Sequence, residues 1–144
     1  MKSPEHEVRE ASAQFYGALN QMANGDAGAM ADVWHRGADA TTMHPVGGRE
    51  VGWDRVKASF EQVARLASDG RITLTDQVIQ VSGDLAYELG IERGTLKLAG
   101  QQAGIEQRVT NIYRREGGAW KVVHLHTDLS PAFLAILNTL SVRA

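Results

Sequence analysis

His124 and His126 lie two residues apart on a segment, Ala119 to Asp128, whose composition suits a β-strand. Strict alternation places Trp120, Val122, His124, His126 and Asp128 on one face, and Lys121, Val123, Leu125 and Thr127 on the other. A His-His-Asp row, with His44 as a fourth donor, contains the ligand types of a metal site. One strand supplies a row rather than a converging cage, so no metal is expected. The same residues suit proton transfer. Asp128 can orient His126, an imidazole being the side chain whose ordinary titration range lies nearest neutrality. Arg108, part-way along the preceding strand, offers a guanidinium that binds a carboxylate or oxyanion through two parallel bonds. The expected catalytic set is therefore His126, Asp128 and Arg108, acting with no cofactor.

Candidate substrate contacts are His44, Trp53, Tyr87, Asn111, Tyr113 and His124. Trp53 and Tyr113 each combine an apolar body with a polar tip, which suits an apolar ligand bearing one oxygen. Trp34 and Phe60 keep helical spacing and read as core. On Leu85 to Leu98, Tyr87, Leu89 and Ile91 share one face and look like core. Glu88 and Glu92 share the other, where a solvated glutamate is the commoner state than a buried catalytic one. Neither a glycine-rich phosphate loop nor a serine nucleophile elbow is present.

Elements that could position these groups follow from period and punctuation. Ser3-Pro4 reads as a helix start, with Val8, Ala11, Phe15, Leu19 and Met22 as an apolar stripe ending at Asn24-Gly25. Asp26 caps a shorter helix carrying Met30, Val33 and Trp34. Asp39 to Met43 is a short strand and His44 to Gly48 a turn. A third helix runs from Trp53 to Ala67 and stops at Ser68-Asp69-Gly70. The period then becomes strand-like over Arg71 to Val81, Leu85 to Leu98, Ile105 to Arg115 and Ala119 to Asp128, with glycine-bearing connectors that make an antiparallel meander. Ser130-Pro131 opens a closing helix. Helices first and strands afterwards argue for one α+β domain spanning residues 1–144.

Composition sets outer limits. The 144 residues suffice for a core without staples, and the absence of cysteine removes disulfides, thiolate metal sites and a catalytic thiol. It fits a reducing cytoplasm. Fifteen basic and seventeen acidic side chains leave a formal charge of −2, so neither nucleic acid nor an anionic membrane is an expected partner. The polar, acidic opening Lys2 to Glu7 does not read as a signal peptide.

The stretch Arg108-Val109-Thr110-Asn111-Ile112-Tyr113-Arg114-Arg115-Glu116-Gly117-Gly118-Ala119-Trp120-Lys121-Val122-Val123-His124-Leu125-His126 resembles the final hairpin of SnoaL-like proteins in the NTF2-like superfamily. It is similar also to the association (hub) domain of calcium/calmodulin-dependent protein kinase II. Met43-His44-Pro45, Gly47-Gly48 and Gly52-Trp53 fit the SnoaL-like pattern. The resemblance implies a cone: three N-terminal helices packed on a curved antiparallel sheet, with a short C-terminal helix and a pocket between helices and sheet. It also implies a homodimer built through the sheet's outer face, which the apolar character of both faces of Ala119 to Asp128 supports. A small-molecule-binding domain is expected, possessing the layout for isomerisation, dehydration or cyclisation by proton transfer on a small apolar carbonyl or carboxylate compound. The other expectation is a non-catalytic assembly module. Asn111 and Leu89 stand where the hub domain has pocket arginines, a departure from its carboxylate site.

Overall fold

The computed structural model describes residues 2–142. Helix α1 (Pro4–Met22) starts where Ser3 Oγ accepts the His6 amide at 3.1 Å, with Pro4 in the first turn. It is followed by α2 (Met30–Val33), β1 (Thr41–His44), β2 (Gly47–Val51), α3 (Trp53–Leu66), β3 (Ala67–Ser82), β4 (Leu85–Leu98), β5 (Gln101–Glu116), β6 (Ala119–Thr127) and α4 (Pro131–Val142). One six-stranded sheet has the order β2-β1-β6-β5-β4-β3. All neighbours are antiparallel except β1 and β6, which run parallel. This is the expected α+β layout, a curved and unclosed sheet with helices on one face. No helix among the described residues is long and apolar enough to cross a membrane.

Three boundaries differ from the sequence reading, one of them the start of β5, which lies at Gln101 rather than Ile105. Residues 47–51, expected to be a turn and its sequel, form β2 and pair with β1 as a hairpin. Ser68-Asp69-Gly70 ends the helix but already belongs to β3, which pairs with β4 from Ala67 onward.

Helix α1 is sewn to β3, the edge strand, by two asparagines one turn apart. Asn20 donates to the Ile72 carbonyl at 2.9 Å and accepts the Ile72 amide at 2.7 Å. Asn24 does the same with Gly70, at 2.9 and 3.2 Å. Each carboxamide thus imitates one rung of a β-ladder. Helix and strand come so close that a Cβ on Gly70 would run into Ala23. The stitching fixes the depth and rotation of α1, and with them the place of Tyr16 over the sheet.

The cone is filled unevenly. Trp34 lies against Phe15, Trp53 and Phe60, with ring centroids 6.4, 6.4 and 5.7 Å away, and plugs the side nearest β1 and β6. The opposite side, under β3, β4 and β5, is lined by aliphatic side chains and closed by Phe133 and Ile136 of α4.

Candidate functional site

Burial decides which face of the sheet is inside. On β5 the odd residues Ala103, Ile105, Gln107, Val109, Asn111 and Tyr113 are buried; on β4 the even residues Ala86, Glu88, Glu92, Leu96 and Leu98 are. Tyr87 and Leu89 are 45% and 40% exposed on the outer face, so the expectation that they form core and that the glutamates are solvated is reversed.

The inner face therefore carries a polar network inside an apolar cone. Glu88 Oε1 accepts from Tyr113 Oη at 2.8 Å and from Asn111 Nδ2 at 2.9 Å, while Oε2 accepts from Gln77 Nε2 at 2.6 Å. Glu92 Oε2 accepts from Tyr16 Oη at 2.9 Å and Oε1 from Gln107 Nε2 at 2.8 Å. Asn111 Nδ2 also donates to Tyr16 Oη at 3.0 Å, so the phenol's own hydrogen is committed to Glu92. Asn111 Oδ1 stays buried without a partner.

The two carboxyls are in different situations. Glu88 has three donors; Glu92 has two and borders a cavity of about 190 Å³. That cavity is walled by Leu19, Met22, Val63, Leu66, Leu98 and Phe133 among others, with Glu92, Gln107 and Gln62 as its polar lining. Burial pushes the Glu92 carboxyl above the ordinary glutamate range, and the neighbouring Glu88 charge adds to it; the bonds from Gln107 and Tyr16 act against it. Burial, reinforced by the same carboxylates, raises both Tyr16 and Tyr113, so the phenols remain donors. A carboxyl raised by burial at the edge of a cavity is placed to act as a general acid or base toward a molecule held there.

The sequence matches the SnoaL-like domain family over residues 8–132. The chain belongs to that family. Solved structures similar to this SnoaL-like domain include a candidate dehydratase of the NTF2-like family from Streptomyces avermitilis, at 24% identity and TM-score 0.78, covering 89% of this chain and 96% of that one. The CaMKII hub of S. rosetta is 20% identical at TM-score 0.72, with 90% and 99% covered. An NTF2-like superfamily protein of Salmonella enterica is 18% identical at 0.76, with 86% and 89% covered. At these identities the likeness is one of fold. A search of curated proteins returns no match.

The residues expected to be functional are divided by the sheet of this SnoaL-like domain. Asn111 and Tyr113 face inward and join the network, while Tyr87, Arg108, His124 and His126 face outward. The cause on β6 is a bulge at Val123: Ile112 pairs with His124 but Tyr113 with Val122. Val122 and Val123 are both buried as a result, and the expected row of Trp120, Val122, His124 and His126 is broken in two.

Arg108, His126 and Asp128 do come together, in an open depression of about 480 Å³ on the outer face. There Asp128 accepts from Arg108 Nε and Nη2 at 2.9 and 3.0 Å instead of orienting His126. That pairing holds the Asp128 carboxyl down at about 2. His124 Nδ1 meets Thr41 Oγ1 at 2.7 Å, and burial beside His126 lowers its pKa.

His44 is buried under Phe60, their rings 5.1 Å apart. Ser59 Oγ gives its hydrogen to the Val56 carbonyl, so His44 Nε2 is the donor in the 2.8 Å contact with Ser59. Burial lowers His44 to about 4, leaving a neutral imidazole. Trp53 packs on Trp34 and borders a surface hollow with Arg36 and Arg55 rather than the interior cavity. No group of three potential metal ligands occurs among the described residues. Gln107 and Gln62 were absent from the sequence reading, and Glu92 was assigned to solvent.

Proposed function

We propose that this SnoaL-like domain binds a small molecule in its interior cavity and moves a proton on it, with Glu92 as the acid–base group. The observation that carries the reading is a single buried carboxyl, raised above its ordinary range, at the polar end of an otherwise aliphatic cavity. As carboxylate, Glu92 would take the hydrogen from the carbon next to a carbonyl, and the C–H electrons would pass into an enolate. Where the ketone carries a β,γ double bond, the enolate extends over it. The same carboxyl would then return the proton to the γ-carbon, shifting the double bond to the α,β position and completing an isomerisation. Delivered instead to a departing β-hydroxyl, it would release water and leave a C=C bond. Gln107 and Gln62 are the amide donors within the cavity wall for the developing oxyanion. Tyr16 and Gln107 hold Glu92 in place, Asn111 donates to Tyr16, and Glu88, itself bonded by Tyr113, fixes Asn111.

Proton abstraction can be tested before the full reaction is known. Small cyclic ketones and enones incubated in D₂O with the protein are followed by proton NMR for loss of the α-hydrogen signal. Catalysed exchange that disappears in Glu92→Gln supports the reading. Exchange at the solvent rate for every ketone, or exchange unaffected by Glu92→Gln, overturns it.

We infer in addition that the outer face seats a second copy of this chain. Val78, Leu85, Tyr87 and Leu89 together leave large apolar surface on β3 and β4, between 40% and 50% exposed each. This assembly is compatible with the cavity reading, because it uses the opposite side of the sheet.

A further inference from the structure

Strand register sets two histidines at the centre of the outer face. One row across the sheet reads Val51, Thr41, His124, Ile112, Tyr87 and Gln80, each paired with the next. The row beside it reads Met43, His126, Thr110, Leu89 and Val78. Both imidazoles thus stand among apolar or uncharged neighbours on β1, β5 and β4, in one band with the exposed surface of Val78, Leu85, Tyr87 and Leu89. Their ring centroids are 6.2 Å apart. The polar contact of His124 is Nδ1 with Thr41 Oγ1 at 2.7 Å.

Charges stand at the ends of this band, and most of them are paired. Beyond the His126 row lie Arg108 with Asp128, and Arg93 with Glu106 and Asp76. Beyond the His124 row lie Arg114 with Asp39, and Lys121 on the Asp32 carbonyl. Strand β2 adds Arg49, two residues before Val51. A rim of balanced charge suits another copy of itself better than a strongly charged partner. Six strands at about 4.8 Å and the stretch Leu85 to Arg93 at about 3.4 Å per residue span a flat area of about 24 by 27 Å. Side-chain relief brings that toward the roughly 800 Å² that each partner of a stable complex covers.

We propose that this face is an acid-released interface between two copies of the chain, closed while His124 and His126 are neutral and opened when they take up protons. The inference rests on the outer face being the seat of a second copy. Covering the two central rows removes both imidazoles from water, a cost that falls on the charged form alone. Neither has a carboxylate of its own. Asp128 and Asp76, which share the depression with His126, already face Arg108 and Arg93. Strand β1 brings Thr41 and Met43 against them, and β5 brings Ile112 and Thr110. Burial already lowers His124 in the single chain, and the neighbouring His126 adds to it. The sign follows from linkage: assembly that excludes the charged form strengthens as pH rises through the ordinary imidazole range and weakens below it.

The test is sedimentation equilibrium of the whole chain at steps from about pH 8 to about pH 5.5, with far-UV circular dichroism at each step. That range stays above the titration of buried His44, at about 4, so the core keeps its charge state. One proton refused by each copy raises the dimer Kd about a hundredfold between those limits, taking about 6.5 for an unperturbed imidazole. A loss of at least that size is expected in the native chain. The double variant His124→Gln with His126→Gln cannot take up the protons and should stay assembled throughout. A native chain still assembled at the acid end, though Leu89→Arg separates it, would overturn the proton release and keep the interface. So would a double variant that dissociates with acid as the native chain does, or that never assembles. A native chain that is monomeric at the alkaline end, or that Leu89→Arg leaves assembled, would overturn the outer-face reading itself.

Discussion

Replacing Glu92 by glutamine should make the protein more stable while disabling it. Glu92 is 3% exposed, and its carboxylate, with about four lone-pair directions, receives two donors and no cation. A buried polar group left partly unsatisfied costs about 1–3 kcal/mol. Glutamine keeps the shape. Its oxygen can accept from Tyr16, and its amide can donate to Gln107 once that carboxamide turns over. The sign follows from proton linkage. A carboxyl raised in the folded state binds more protons than in the unfolded chain, so native stability falls as pH rises from the ordinary glutamate range through the folded pKa. The variant lacks that loss. Its advantage should be absent near pH 4 and full above the folded pKa. At about 4 °C of Tm per kcal/mol for a domain of this size, Glu92→Gln should melt roughly 4–12 °C higher at pH 8. Differential scanning calorimetry at pH 4, 6 and 8 measures it. A variant less stable than the native chain at pH 8, or a gain unchanged with pH, would refute the argument that Glu92 is a desolvated, under-bonded acid.

Three further outcomes follow from other contacts. His44 is depressed to about 4 by burial, so the unfolded chain binds the proton first and stability should drop as pH falls from about 6.5 toward 4; His44→Gln should flatten that slope in urea titrations at pH 7 and 5. Tyr113→Phe removes one of the three donors to Glu88 and should cost about 1–3 kcal/mol by the same assay. Leu89→Arg puts a charge in the middle of the exposed apolar face and should halve the mass seen by light scattering, with the melting profile of the cavity network retained.

The order of elements was legible in the sequence because period and breakers are local. Ser3-Pro4, Asn24-Gly25, Glu116-Gly117-Gly118 and Ser130-Pro131 mark ends that the structure keeps within a residue or two. Facing was legible only in part. Tyr87, Leu89 and Ile91 form the more apolar row of β4, yet that row is the outer one. The information that settles it lies on the next strand. Ala99 and Gly100 make a two-residue hairpin with φ of 51° and 78°, and Leu98 pairs with Gln101. Even positions of β4 therefore share a face with odd positions of β5, where Ala103, Ile105, Val109 and Tyr113 are plainly core. With that parity Glu88 opposes Asn111, Glu92 opposes Gln107, and all four turn inward. The reading that starts β5 at Ile105 hides this register. The bulge at Val123 leaves one local trace that strict alternation passes over: Trp120-Lys121-Val122 and Val123-His124-Leu125-His126 each alternate, but the phase slips at the paired valines. Tyr16 reaches Glu92 across 76 positions, through packing that only the folded cone creates.

The most direct test of the account is the titration of the Glu92 side-chain carboxyl by carbon-13 NMR, assigned by its loss in Glu92→Gln. A resonance that titrates above the ordinary glutamate range, and moves when acetophenone fills the cavity, is the predicted result. A carboxyl that titrates as an exposed glutamate and ignores the ketone would contradict the claim that this cone is built around a buried acid.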